Sequence, residues 1–217
     1  MLARTKLDFV SDVSCPWCAI GLQSLLAALG NLRDTVAGDL HFQPFELNPE
    51  MTAGGEDIAE HIAHKYGSSP QQFAQSQEMI RARGAELGFR FDMDKRTRIY
   101  NTFDAHRLLH WAGLEGRQLE LKQALFKAYF ADGADPSDHT LLAAVAAQAG
   151  LDPLRAREIL VSDLYATEVR AREQFYRRQG IDAVPAVIIN DQHLIQGGQP
   201  VAVFERILRQ LAGPDPH

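Results

Sequence analysis

The two cysteines of this 217-residue chain stand together as Cys15-Pro16-Trp17-Cys18. An apolar stretch with Leu7, Phe9, Val10 and Val13 runs into them and a helical pattern leaves them, which commits the chain to a strand-to-helix junction carrying a thiol pair in its first turn. The thiolate is the reactive form of cysteine, and at a helix start unpaired backbone N–H groups and the positive end of the helix dipole stabilise it. Cys15 is therefore the expected attacking sulfur. Pro16 falls where a helix loses a donor at no cost, and the C-x-x-C spacing brings Cys18 within disulfide reach as the resolving thiol.

Around this junction the pattern reads as a β-α-β unit. Leu7 to Val13 is expected as a first strand, Cys15 to Leu29 as a helix with Leu22, Leu25, Leu26 and Leu29 on one face, and Leu40 to Leu47 as a second strand. From Asp57 to Gln179 apolar residues recur at helical spacing, with starts at Ser69-Pro70 and Asp152-Pro153 and stops at Gly67, Gly88, Gly150 and Gly180. About seven helices are expected there. Val184 to Asn190 then reads as a strand, Asn190-Asp191 as a hairpin turn, His193 to Gln196 as its partner and Val201 to Leu211 as a closing helix, with a frayed tail from Gly213 to His217. The expected fold is α/β, a small domain built from residues 1–48 and 166–217 and interrupted by a helical insertion over 49–165.

Composition narrows the chemistry. A formal net charge of -6 with no basic cluster gives neither a nucleic-acid footprint nor a polybasic membrane patch. No stretch approaches the roughly 18 apolar residues of a membrane span, and Met1 to Val10 carries Arg4, Lys6 and Asp8 rather than a signal-peptide apolar run. The expected compartment is the cytoplasm, where a lone C-x-x-C is more often catalytic or metal-binding than structural. His106 and His110 have a spacing that zinc permits, but they lie about ninety residues from the cysteines, against roughly 12 to 20 between the pairs of ordinary zinc modules. No metal is expected.

The second element is Val184-Pro185 at the head of the apolar run Ala186 to Ile189. Proline is tolerated at a strand start where its missing donor does no harm, one such place being a cis X-Pro turn. Together with Asp12 to Gly21, Asn101 to Leu108 and Gly197-Gly198-Gln199-Pro200, this order of motifs resembles the DsbA branch of the thioredoxin superfamily, and more narrowly its FrnE-like group, over nearly the whole chain. The resemblance implies a thioredoxin fold with a large helical insertion between the second strand and the C-terminal strand pair. It further implies a cis Val184-Pro185 bond facing the catalytic pair Cys15 and Cys18. Pro16, Trp17, Val184 and Pro185 would then contact substrate, with the backbone of the Pro185 loop pairing an extended segment by strand addition.

The expected function is thiol–disulfide exchange or disulfide isomerisation on protein, peptide or small thiol substrates, with no cofactor beyond the dithiol and an external thiol such as glutathione to re-reduce it. Trp17 supplies no stabilising hydrogen bond where a histidine would, so a milder oxidant than a periplasmic C-P-H-C enzyme is expected. At a cytosolic poise of about -220 to -320 mV it would be largely reduced. The related alternative is a glutathione-dependent isomerase or kappa-class-like transferase, which typically uses serine at the first motif position, so Cys15 and Cys18 count against it. A non-catalytic peptide-binding module is a third class. The face around Trp17 serves either substrate or a homodimer contact. Of the remaining residues, Asp12 reads equally as a proton relay to Cys18 and as a turn cap. His106, Arg107 and Asn101 read as organisers of the insertion, with Arg107 paired to Asp104 or Glu78, and His61 and His64 as a solvated face.

Overall fold

Strand β1 (Arg4–Ser11) is buried continuously from Leu7 onward, as a strand covered on both faces must be. In the computed structural model, which describes residues 4–52 and 54–211, it is one of the two inner strands of a four-stranded sheet ordered β2-β1-β5-β6. Its parallel partner β2 (Ala37–Pro44) is reached through helix α1 (Pro16–Asn31), the crossover that parallel pairing requires. Its antiparallel partner β5 (Ala186–Ile189) comes from the far end of the chain, Leu7 lying opposite Ile189 and Val10 opposite Ala186. A hairpin then adds β6 (His193–Gln196), and α9 (Val201–Leu211) closes the fold.

The period-2 side-chain alternation of β1 divides the core. Leu7 and Phe9 pack with Leu22 and Leu25 of α1 and Phe204 and Leu208 of α9, while Val10 packs on the other face with Phe45 and Tyr176. Between β2 and β5 lie the short pair β3 (Glu56–Asp57) and β4 (Arg98–Ile99) and seven helices among the described residues. They are α2 (Ile58–Tyr66), α3 (Pro70–Glu86), α4 (Phe103–Leu114), α5 (Gln118–Phe130), α6 (His139–Gln148), α7 (Pro153–Leu160) and α8 (Ala166–Arg178). Helices α4 to α7 build a second core from Leu108, Leu121, Leu125, Leu142 and Ile159, with small alanines letting them approach closely. This is the thioredoxin fold with its helical insertion.

Local signals explain most boundaries. Ser69 and Asp152 cap α3 and α7, and Gly67, Gly88, Gly150 and Gly180 all adopt positive φ. Asn190 and Asp191 (φ 51° and 57°) form the left-handed hairpin turn, which Asn190 ties to β1 by accepting from Lys6 N at 3.0 Å. Three strand limits differ from the sequence reading. The first strand ends at Ser11 because Asp12 Oδ1 accepts from Ser14 N at 3.1 Å and turns the chain. The second starts at Ala37 and stops at Pro44, which has no donor to continue a ladder. The third starts at Ala186, after the Val184-Pro185 turn. The expected frayed tail from Gly213 lies outside the described residues. No helix among the described residues is long and apolar enough to cross a membrane.

Candidate active site

Cys15 is the N-cap of α1. Its backbone is extended (φ -89°, ψ 112°), and its Sγ accepts from the Cys18 amide at 3.3 Å, filling one of the donor vacancies of a helix start. Both cysteines are free thiols, Cys15 only 4% exposed and Cys18 wholly buried beneath it. The Val184-Pro185 bond is cis, and the Val184 carbonyl lies 3.7 Å from Cys15 Sγ.

Glycines permit this convergence. A side chain on Gly21 would meet Pro185 Cγ at 3.1 Å and Gly198 Cα at 3.4 Å, and one on Gly198 would meet the Trp17 carbonyl oxygen at 3.0 Å. Gly197, at φ 80°, turns its N–H to the Pro185 carbonyl at 2.8 Å. The helix turn, the cis-proline loop and the Gly197-Gly198 segment are thus one packed unit, the first from near the start of the chain and the other two from the two ends of the β5–β6 hairpin.

Beneath the thiols, Asp12 is fully engaged. Oδ1 accepts from Ser14 N (3.1 Å) and Thr102 Oγ1 (2.8 Å), Oδ2 accepts from Leu47 N (2.7 Å), and His106 Nε2 stands 3.7 Å away. Burial would raise its pKa, but His106 and the two amides outweigh it and hold the carboxyl at about 2. Asp12 is thus held ionised at neutral pH with both carboxylate oxygens hydrogen-bonded. Cys18 moves the other way: burial, then the hydrogen bond to Cys15 and its charge, push the thiol well above the ordinary range, while Lys122 pulls it down.

A cleft of about 700 Å³ opens over Cys15, between the active-site turn and helices α2 and α3. Trp17, Phe45, Leu47, Ile62, Phe73 and Ile80 give it apolar walls. Lys65, donating to Leu47 O at 2.7 Å, and Arg96, donating to Ser14 O at 3.2 Å, add two cations to the same lining. Pro16 and Val184 also line it.

Other expected residues fall into place with one correction. Asn101 Oδ1 accepts from the Phe103 amide (2.9 Å) just before α4, whose N-cap is Thr102. Arg107 pairs with Asp104 (2.7 Å), not Glu78, and also donates to the carbonyls of Leu164 (2.9 Å), Ile159 and Ser162, so it ties α4 to the α7–α8 connection. His64 is exposed as expected, but His61 is not on a solvated face. Its side chain is 11% exposed, lines the cleft, and sits between Glu56 Oε2 (2.6 Å) and Asn48 Oδ1 (3.1 Å). Asp57 caps α2, the helix that carries His61 and forms one wall of the cleft.

Two features had no place in the sequence reading. Lys122 is completely buried on α5, and its position with Leu125, Phe126 and Tyr129 at helical spacing on an apolar face was the available signal. Glu46 and Glu173, both buried, share Arg170, which also stacks on Phe103 at 3.8 Å. Burial first, and then the charge of Glu173, raise the Glu46 carboxyl to about 7.

Residues 6–209 match the family described as the DSBA-like thioredoxin domain. The "probable DsbA oxidoreductase" of Streptomyces coelicolor is 31% identical and superposes with a TM-score of 0.88 over 98% of this chain and 92% of its own. A 2-hydroxychromene-2-carboxylate isomerase shares the fold at 16% identity and a TM-score of 0.71, covering 97% of this chain and 99% of that one. So does DsbM, a cytosolic disulfide reductase of Pseudomonas aeruginosa in a structure with GSH, at 15% identity and a TM-score of 0.64 over 95% of this chain and 98% of its own. Among curated proteins, none matches the chain in sequence.

Proposed function

The chain belongs to the DsbA-like thioredoxin family of thiol oxidoreductases and isomerases, and on that premise we propose that it is a cytoplasmic, FrnE-like dithiol oxidoreductase acting through Cys15 and Cys18. The observation that carries this is the placement of Cys15: an N-cap thiol, supported by the Cys18 amide and facing the Val184 carbonyl at the floor of an apolar cleft.

The chemistry follows from that placement. The Cys15 thiolate attacks one sulfur of a substrate disulfide, forming a mixed disulfide and releasing the other sulfur as a thiol. The Cys18 thiolate then attacks Cys15 Sγ, so the substrate leaves fully reduced and Cys15–Cys18 carries the two-electron oxidation. An external thiol restores the pair. The Val184-Pro185 turn precedes β5 and leaves its backbone beside Cys15, where an extended disulfide-bearing segment can pair with it. Trp17 and the apolar cleft walls hold neighbouring side chains or the body of a small thiol. The fold shared with a cytosolic reductase in a structure with GSH favours the reductive direction and glutathione as the restoring thiol.

The second reading is a glutathione-dependent isomerase, favoured by the fold shared with the 2-hydroxychromene-2-carboxylate isomerase. A buried Cys18 held against Cys15 is a part that chemistry does not need. Equilibration in glutathione buffers with thiol trapping separates the two. A reversible two-electron couple that vanishes in Cys15→Ser, with a trapped mixed disulfide in Cys18→Ser, supports exchange. Turnover of a glutathione adduct unchanged by Cys18→Ser refutes it.

A further inference from the structure

A second cavity, of about 210 Å³, lies apart from the cleft over Cys15 and shares no lining residue with it. It sits among β2, α4, α5 and α8 and reaches solvent at half-exposed His41 and at exposed Leu114 and Arg172. The charge in its lining is of one sign. His41, His106, His110, Lys122 and Arg172 contribute to it, and no carboxylate does. The acids beside these groups, Asp39 at 3.2 Å from His41 and Asp12 at 3.7 Å from His106, are not part of the lining.

Two of the five are buried and unpaired. Lys122 is wholly buried, and its Nζ has no hydrogen-bond acceptor and no carboxylate within ion-pairing distance among the described residues. The rings of Phe126, at 4.8 Å, and Phe42, at 6.0 Å, compensate the ammonium in part through their π faces but accept no ordinary hydrogen bond from it. Lysine is almost never fully buried unless paired, because a buried charge without a partner is costly. Burial lowers this one to about 8, which leaves it an ammonium at neutral pH. His106 is also buried, and its Nε2 makes no hydrogen bond.

We propose that this cavity is a binding site for one small oxyanion of the phosphate or sulfate type, held by Lys122 and His106 at its inner end and by His110 and Arg172 toward its mouth. Lysine meets such an anion as a point charge and arginine as a two-donor fork. The Lys122 head, on a flexible four-carbon stem, turns from the ring faces to the anion. Donors arriving from α4, α5 and α8 suit a tetrahedral ion, with an acceptor at every corner, better than a planar carboxylate. The volume selects against anything larger, since it falls below the about 300 to 1,000 Å³ of sites for drug-sized ligands. His106 joins the site to the floor of the cleft, because the same ring stands beside Asp12, whose Oδ1 accepts from the amide of Ser14 next to Cys15. The oxyanion site stands or falls independently of the exchange reading.

Titration of the full-length protein with inorganic phosphate, at neutral pH and constant ionic strength, tests it through the ring resonances of the histidines. His106 and His110 should shift together in a saturable one-to-one transition, with a dissociation constant of about 1 mM or tighter. Lys122→Met should weaken that transition by about tenfold or more, and Arg172→Gln, an exposed substitution, by about threefold or more. Sulfate should compete, and acetate at the same concentration should not. No saturable shift up to about 20 mM phosphate overturns the proposal, as does a shift of His61 in the cleft in place of His106 and His110. So does competition by acetate as strong as by sulfate, or an unaltered affinity in either variant. Should Lys122→Met fail to fold, the affinity of Arg172→Gln decides.

Discussion

Replacing Asp12 by asparagine tests the electrostatic account of the site floor. The carboxyl falls from 3.8 to about 2 on folding, nearly two pKa units, which corresponds to about 2.5 kcal/mol of stability at neutral pH. A depressed pKa contributes fully above the unfolded value and is lost as pH falls through the folded one, so the window runs from about pH 4 to about pH 2. An asparagine amide offers one acceptor oxygen in place of two, so one of Leu47 N, Ser14 N and Thr102 Oγ1 would be left a buried, unpaired donor at a cost of about 1–3 kcal/mol whatever the pH. Asp12→Asn should therefore lose about 3–5 kcal/mol at pH 7, and the deficit should shrink by about half as pH approaches 2. Urea unfolding of both proteins across that range, at matched m-values, measures it. A deficit that is flat with pH, or below about 1 kcal/mol at neutrality, would refute the view of Asp12 as an ionised anchor.

Three further outcomes follow from the same structure. Glu46, raised from 4.5 to about 7, favours folding below its unfolded value and loses that contribution as pH rises to 7; Glu46→Gln should flatten the fall in thermal stability over this interval, by on the order of 2 kcal/mol. Arg107→Lys cannot span Asp104 and three carbonyls and should cost about 2–4 kcal/mol by chemical denaturation, despite preserving the charge. Gly198→Ala, crowding the Trp17 carbonyl, should lower stability by about 1–3 kcal/mol, whereas Gly30→Ala, in open space within α1, should raise it by about 0.5–1 kcal/mol; paired melting curves that move together would contradict the packing described.

What could be read from the sequence divides along a physical line. The dithiol turn, the Ser69 and Asp152 caps, the glycine helix stops and the Asn190-Asp191 hairpin follow from backbone rules acting over a few residues. The cis bond and the second half of the site came from motif resemblance, because nothing local to Val184-Pro185 requires it to face Cys15. The strand limits slipped where a side chain intervened: Asp12 pulls the chain out of β1, and β2 extends back over Ala37 and Gly38 because β1 offers them partners that their own propensities would not predict. His61 and Lys122 were hidden for a related reason. Their burial is set by α2 folding over the cleft and α5 packing beneath the sheet, which depends on contacts remote in sequence. Lys122 did leave a trace, a lone cation on an apolar helix face.

The pairing of β1 with β5 also fixes an order of events during synthesis. Phe9 meets Val187 only after nearly the entire chain has been made, and closure across so long an interval is slow compared with helix formation. At translation rates of about 5–20 residues per second, a growing polypeptide carries Cys15 and Cys18 for roughly ten seconds or more before the strand that backs them can dock. For that interval the two thiols are open to any passing oxidant, with β1, α1, β2 and the helical insertion the sequence already made that can shelter them. A pause that delays the last thirty or so residues would lengthen this exposure.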